Sequence, residues 1–172
     1  ILVCDTLCAA LGQGLLVHHA CRLRDEGKTI DEAAAWVEAN KLNICHWVTV
    51  DDLNHLKRGG RVSAATALVG TMLSIKPVLH VDNEGRLINV SKARGRKAAL
   101  MTLADEFEKR VIDPADPVFI SHGDCEEDAK FVAEEVKKRT GAEVRLINYV
   151  GPVIGSHTGA GVVALCFLAK ER

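Results

Sequence analysis

Strand-length runs of β-branched and aromatic residues alternate along this chain with longer stretches whose apolar residues recur at helical spacing. Period-two runs suit strands and the three-to-four period suits helices. Their alternation restricts the chain to an α/β architecture, with helices packed on a mixed sheet. Strands are expected at 44–50 (I-C-H-W-V-T-V), 118–121 and 144–149, and an apolar run closes the chain. The segment from Pro77 to Val90 reads as a hairpin around Asp82-Asn-Glu-Gly85, the antiparallel element of the sheet. The spacing predicts a first helix from Ala9 to Arg24, with Leu11, Leu15, Leu16, His19 and Leu23 on one face and Gly27 as its stop. Thr29-x-x-Glu32 has capping-box spacing for a second helix, with Ile30, Ala33, Ala34 and Val37 as its stripe. Asp51 is expected to cap a short helix from Asp52 to Lys57 that ends at Gly59-Gly60. Further helices are expected from Ser63 to Leu73, from Ser91 to Val111, and from Asp124 to Arg139, the last stopped by Gly141. There is no internal repeat and no low-complexity linker.

The bulk numbers exclude some function classes. With 172 residues and a formal net charge of −1, the chain has no overall basic field to draw it to nucleic acid or anionic membrane. No apolar run approaches the roughly 20 residues of a transmembrane helix. The opening Ile1-Leu-Val-Cys-Asp5 lacks a basic n-region and reads as the end of a buried strand rather than a signal peptide, as in a fragment of a longer protein. Six scattered cysteines with no C-x-x-C pair read as buried free thiols in a reducing cytoplasm.

Three segments carry residue types suited to chemistry. In G-P-V-I-G-S-H-T-G-A-G, residues 151–161, four glycines frame Ser156, His157 and Thr158. Such a loop holds a carboxylate or phosphate through side-chain and backbone donors, or it is a structural loop whose histidine bonds a nearby carbonyl. It matches neither the dinucleotide fingerprint nor the phosphate-binding P-loop. In H-L-K-R-G-G-R-V-S, residues 55–63, Lys57, Arg58 and Arg61 flank two glycines, which reads as a helix C-terminus or as an anion site. K-A-R-G-R-K, residues 92–97, is read as a solvated helix start or a protein-docking face. Metal spacing is poor, because His18 and His19 point apart on a helix and His122-Gly-Asp124-Cys125 lacks a second cluster. Asp124 reads more simply as a helix cap.

Taken in order, D-D-L-x-x-L-K-R-G-G-R-V-S, S-I-K-P-V-L-x-V-D-N-E-G-R-L, R-G-R-K-A-A-L and G-P-V-I-G-S-H-T-G-A-G resemble the DegV family. The opening D-T-L-C-A-A-L-G-Q-G-L-L-V is similar to the segment leading into the last helix of that family's N-terminal domain. The resemblance implies a two-domain α/β protein, with residues 1–38 ending the N-terminal domain and 39–172 forming the C-terminal one. It further implies a cytoplasmic, bacterial, non-catalytic protein without a cofactor. Such a protein holds a long-chain fatty acid between its domains and presents the carboxylate to the catalytic subunit of a fatty acid kinase. On this sequence the I-G-x-H-T-G motif falls on Gly155, Ser156, His157 and Thr158, near the carboxylate. Arg61 falls in the headgroup network or on the kinase-docking face. The acyl wall is expected around Ala65, Leu68, Met72, Leu73 and Ile75. The family's D-S-x-x-D and T-S-Q-P-S segments do not occur here, so about a hundred N-terminal residues and half of the headgroup site are expected to lie outside this chain, leaving it a weak binder alone. Two other readings compete. One is an enzyme using His157 and Arg61 on a small acidic substrate. The other is an interaction domain docking through Arg94 and Arg96.

Overall fold

A computed structural model describes residues 1–62 and 75–172. The expected helix from Ser63 to Leu73 lies outside the described residues. Among those described, the elements run α1 (Ala10–Asp25), α2 (Ile30–Asn40), a 3₁₀ turn (Lys41–Asn43), β1 (Ile44–Thr49), α3 (Leu53–Arg58), β2 (Ile75–Val81), β3 (Leu87–Arg94), α4 (Arg96–Arg110), β4 (Val118–His122), α5 (Glu126–Thr140), β5 (Val144–Tyr149), α6 (Pro152–Thr158) and β6 (Val163–Leu168). The strands form one mixed sheet in the order β3-β2-β1-β6-β4-β5. Among the described strands only the β4–β5 pair is parallel. The α/β reading from the sequence is thus the observed architecture.

Both faces of the sheet centre are covered. Every residue of β1 is buried, which explains a run without the apolar–polar alternation of a half-exposed strand. On one face, Trp47, Val78, Ile120, Leu165 and Phe167 meet Leu103 and Phe107 of α4 and Val132 and Val136 of α5. There the Phe107 and Phe167 rings meet edge to face with centroids 4.8 Å apart. On the other face, Leu15 and Leu16 of α1 pack on Ile44, Phe119 and Cys166. Beside them Val48, Leu79 and Ala164 meet Leu53 and Leu56 of α3. No helix among the described residues is long and apolar enough to cross a membrane.

The caps show where the local rules hold. The Thr29 hydroxyl accepts the Glu32 N–H at 3.2 Å while the Glu32 carboxylate accepts the Thr29 N–H at 2.8 Å. Gly141 ends α5 in the left-handed conformation, with φ 77°.

Elsewhere the structure corrects the reading. Ser91–Arg94 is strand, not helix, because it pairs with β2 from Val78 back to Ile75 and Gly95, at φ 89°, turns the chain before α4. The cap of α3 is Asp52, whose carboxylate accepts the Asn54 N–H at 2.8 Å, so that helix begins one residue later than expected. Asp124 caps nothing; it sits at φ 53° and Cys125 precedes α5. Residues 152–158 are helix rather than loop, started by Pro152 at its first position. All six cysteines are free, but only Cys45 and Cys166 are fully buried.

Several histidines are buried neutral. Loss of water, with the Arg172 guanidinium and His80 nearby, pushes His46 down to about 3. Burial also lowers His19 and His80, the latter stacked on Trp47 with centroids 4.7 Å apart. A base whose folded pKa lies below its unfolded value stabilises fully above the unfolded pKa and progressively less below it. Stability is therefore expected to fall as the pH drops below about 6.5. His46 alone removes about 2 kcal/mol by pH 5. Urea unfolding at pH 7.5 and pH 5 checks this, and a His46→Gln variant should flatten the dependence.

Candidate functional site

β1 and β6 are antiparallel, with Thr49 opposite Val163, so the end of β1 and the start of β6 emerge side by side. α3 follows the first and α6 precedes the second, which brings two separate motifs of the sequence to one sheet edge. The N-terminal segment and the β2–β3 turn close over the same sheet face. Between them lies a cavity of about 620 Å³. His46 and Val48 of β1, Val81 of β2, Leu87 beside the turn and Ala164 of β6 line it from the sheet side. Leu56, Gly60 and Arg61 come from α3 and its exit, and Val153, Ile154, His157 and Thr158 from α6. Cys8, Ala9 and Ala10 complete it from the N-terminal segment.

The lining is mainly aliphatic, and its polar groups differ in what they have left to offer. Thr158 is buried and its hydroxyl donates to the Ile154 carbonyl at 2.9 Å. Arg86 is paired with Asp82 at 3.1 Å and Glu84 at 2.8 Å. His46 is buried and neutral. The exposed Arg61 donates one N–H to the Gly59 carbonyl at 2.7 Å, a neutral acceptor that does not cancel its charge. His157, half-buried, packs against Gly59. No Asp or Glu lines the cavity among the described residues. An aliphatic cleft of this size with a few convergent cationic and donor groups is suited to an amphipathic anion.

The structure brings Arg61, His157 and Thr158 to one cavity. It does not bring Ser156 there: this exposed hydroxyl donates to Val153 at 2.8 Å. Gly155 lies mid-helix in α6 and does not line the cavity. Ile75 begins β2 opposite Arg94, away from the lining, and Ala65, Leu68, Met72 and Leu73 lie outside the described residues. The described aliphatic lining comes from the sheet face, Leu56 of α3, α6, Val150 and Val162.

Sequence reading missed the support around the site. Asp51 holds Lys76 at 3.0 Å and stands 3.6 Å from Arg96, which in turn pairs with Asp128 at 2.8 Å. Arg96 is thus an internal tie rather than an open docking cation. The Cα of Gly161 presses on the same carboxylate, since a Cβ there would lie 2.5 Å from Oδ2, and its φ is +81°. A side chain at 161 meets both steric and conformational cost. Gly161→Ala is expected to lower stability by about 2 kcal/mol or more, read as a lower urea midpoint at unchanged m-value.

Comparison with known proteins gives a consistent result. The model of the DegV family of uncharacterised proteins matches residues 1–170. A DegV domain-containing protein of Clostridium perfringens is 50% identical over 173 residues, covering 100% of this chain and 60% of the relative. The crystal structure of a fatty acid binding DegV family protein from Streptococcus agalactiae is similar with a TM-score of 0.81 and 33% identity, over 99% of this chain and 60% of that one. The fatty acid kinase B3 protein of Streptococcus pneumoniae, crystallised with linoleic acid, shares the fold with a TM-score of 0.87 at 21% identity, over 99% and 60% of the two chains. The chain therefore spans about 60% of the length of the relatives it matches.

Proposed function

The chain belongs to the DegV family, and from that premise we propose that it supplies one side of the binding site for a long-chain fatty acid. The observation that carries this reading is the aliphatic cavity with Arg61 and His157 at its border and no acidic residue in its described lining. The fatty acid binding named for the Streptococcus agalactiae relative supports it. An acyl chain gains about 0.8 kcal/mol for each methylene taken from water. Aliphatic walls thus supply affinity, and the Arg61 guanidinium with the His157 imidazole as a polar partner fixes which end of the chain faces out. In this reading residues 1–38 end the N-terminal domain, residues 39–172 form the C-terminal one, and α1 is the seam between them. Six free cysteines suit a reducing cytoplasm.

The finer reading is that the carboxylate is offered to the catalytic subunit of a fatty acid kinase while the tail stays bound. Arg61 lines the cavity, and Lys57 and Arg58, also exposed, stand at the same end of α3, a basic patch suited to an acidic partner face. An enzyme acting through His157 would need a second titratable group in hydrogen-bond reach. Among the described residues the lining offers no carboxylate for that role. Burial raises the cavity-lining Cys8 thiol, which disfavours the thiolate.

Native mass spectrometry followed by lipid extraction tests the binding reading, on this chain and on the Clostridium perfringens relative at full length. A long-chain fatty acid is expected from the relative, with weaker uptake by the 172 residues alone that is lost in His157→Ala. Lipid-free protein in both cases would sink the proposal. For the partner, Arg61→Glu is expected to weaken kinase-dependent phosphorylation of the bound acid at least tenfold. Unchanged turnover by the kinase would remove Arg61 from the docking face.

A further inference from the structure

Two glycines precede Arg61, and only one of them is needed to end α3. Gly60 adopts φ +70°, a conformation that favours glycine, and a Cβ there would meet nothing within 4 Å. Gly59 is different. Its backbone is right-handed, with φ −76° and ψ −2°, so any residue fits the conformation. What excludes a side chain is the neighbour: a Cβ at 59 would lie 2.3 Å from Nδ1 of His157 and 3.2 Å from its Cγ.

The contact is reciprocal. Gly159, which ends α6, lies under His55 of α3, where a Cβ would come within 2.7 Å of the imidazole. Each short helix thus presents a histidine to a glycine of the other. Gly59 also accepts the Arg61 guanidinium on its carbonyl at 2.7 Å. One residue therefore meets both His157 and Arg61, the first on the side where its Cβ would stand and the second through its carbonyl oxygen.

We infer that Gly59 is a positioning residue, which seats the His157 imidazole at the cavity border by having no side chain. The inference rests on the fatty-acid reading for its functional consequence, but not for its geometry. Gly59→Ala is compatible with the backbone, so its effect reports the collision with His157 rather than strain in α3. Removing the imidazole as well makes room for the added methyl, and the two substitutions should be coupled.

The test compares Gly59→Ala, His157→Ala and the double variant, with Gly60→Ala as the conformational comparison. Imidazole proton resonances are expected to shift for His157 in Gly59→Ala and to stay in place in Gly60→Ala. Gly59→Ala should lower the unfolding midpoint, and the double variant should regain it relative to that single substitution. Equilibrium uptake of palmitate should weaken about tenfold in Gly59→Ala, with no further loss in the double variant relative to His157→Ala. Additive stability effects with an unmoved His157 resonance would overturn the inference. If the resonance and the coupling appear but neither the parent chain nor the full-length Clostridium perfringens relative takes up palmitate, the positioning stands and the fatty-acid reading of the site fails.

Discussion

The antiparallel ladder between β1 and β6 is the constraint on which the remaining structure hangs. Ile44 to Thr49 and Val163 to Phe167 are buried throughout, so each strand is read from both faces at once. Trp47, Leu165 and Phe167 belong to the α4–α5 side, and Val48, Ala164 and Cys166 to the side of α1 and α3. A slip of one residue would exchange these sets, placing Trp47 in the cavity and His46 against α4. Burial on both sides also dictates how polar residues survive in the ladder. Thr49 donates its hydroxyl to the Pro77 carbonyl at 2.8 Å, and His46 stays neutral.

The same ladder decides where function can sit. Antiparallel pairing delivers α3 and α6 to one sheet edge, although about a hundred residues separate them in sequence. Helices of six and seven residues are too short to persist alone. Packing therefore holds them: Leu53 and Leu56 against the sheet, glycine against histidine between the helices, and the Lys76–Asp51–Arg96–Asp128 chain of charges beside them. Loops on a rigid scaffold are the usual place for binding groups. Here the scaffold extends into the loops through contacts that leave no room for a Cβ.

Most of the fold was legible because it follows local rules. Val144–Tyr149, the Thr29 capping box and the Gly141 stop each rest on patterns within a few residues. Ser91–Arg94 was not legible in that way: its basic residues suit an exposed helix, and only pairing with β2 makes them strand. Pro152 was the available signal that the glycine-rich segment begins a helix, and four glycines outweighed it. Arg61, His157 and Thr158, which share the cavity lining, stand in readable motifs, whereas Ala65, Leu68, Met72 and Leu73 of the expected acyl wall lie outside the described residues. The described wall comes from strands and from α6, which meet Arg61 only in the folded chain. The doubled glycine at 59–60 was a readable clue, since one glycine is enough for a left-handed stop.

Charge at the site shows why residue type alone is an insufficient guide. Arg61 and Arg96 both stand beside glycine in basic runs, and either run reads as a candidate docking face. Arg96 is placed between Asp51 and Asp128, so its charge is spent inside the protein. Arg61 meets a carbonyl of its own turn, and a carbonyl orients a guanidinium without neutralising it. The chain as a whole carries a formal charge of −1, yet the described cavity lining contains arginine and histidine and no carboxylate. A near-neutral chain therefore presents a locally cationic border to an aliphatic cleft. That local imbalance, rather than net charge, is what an anionic headgroup would encounter.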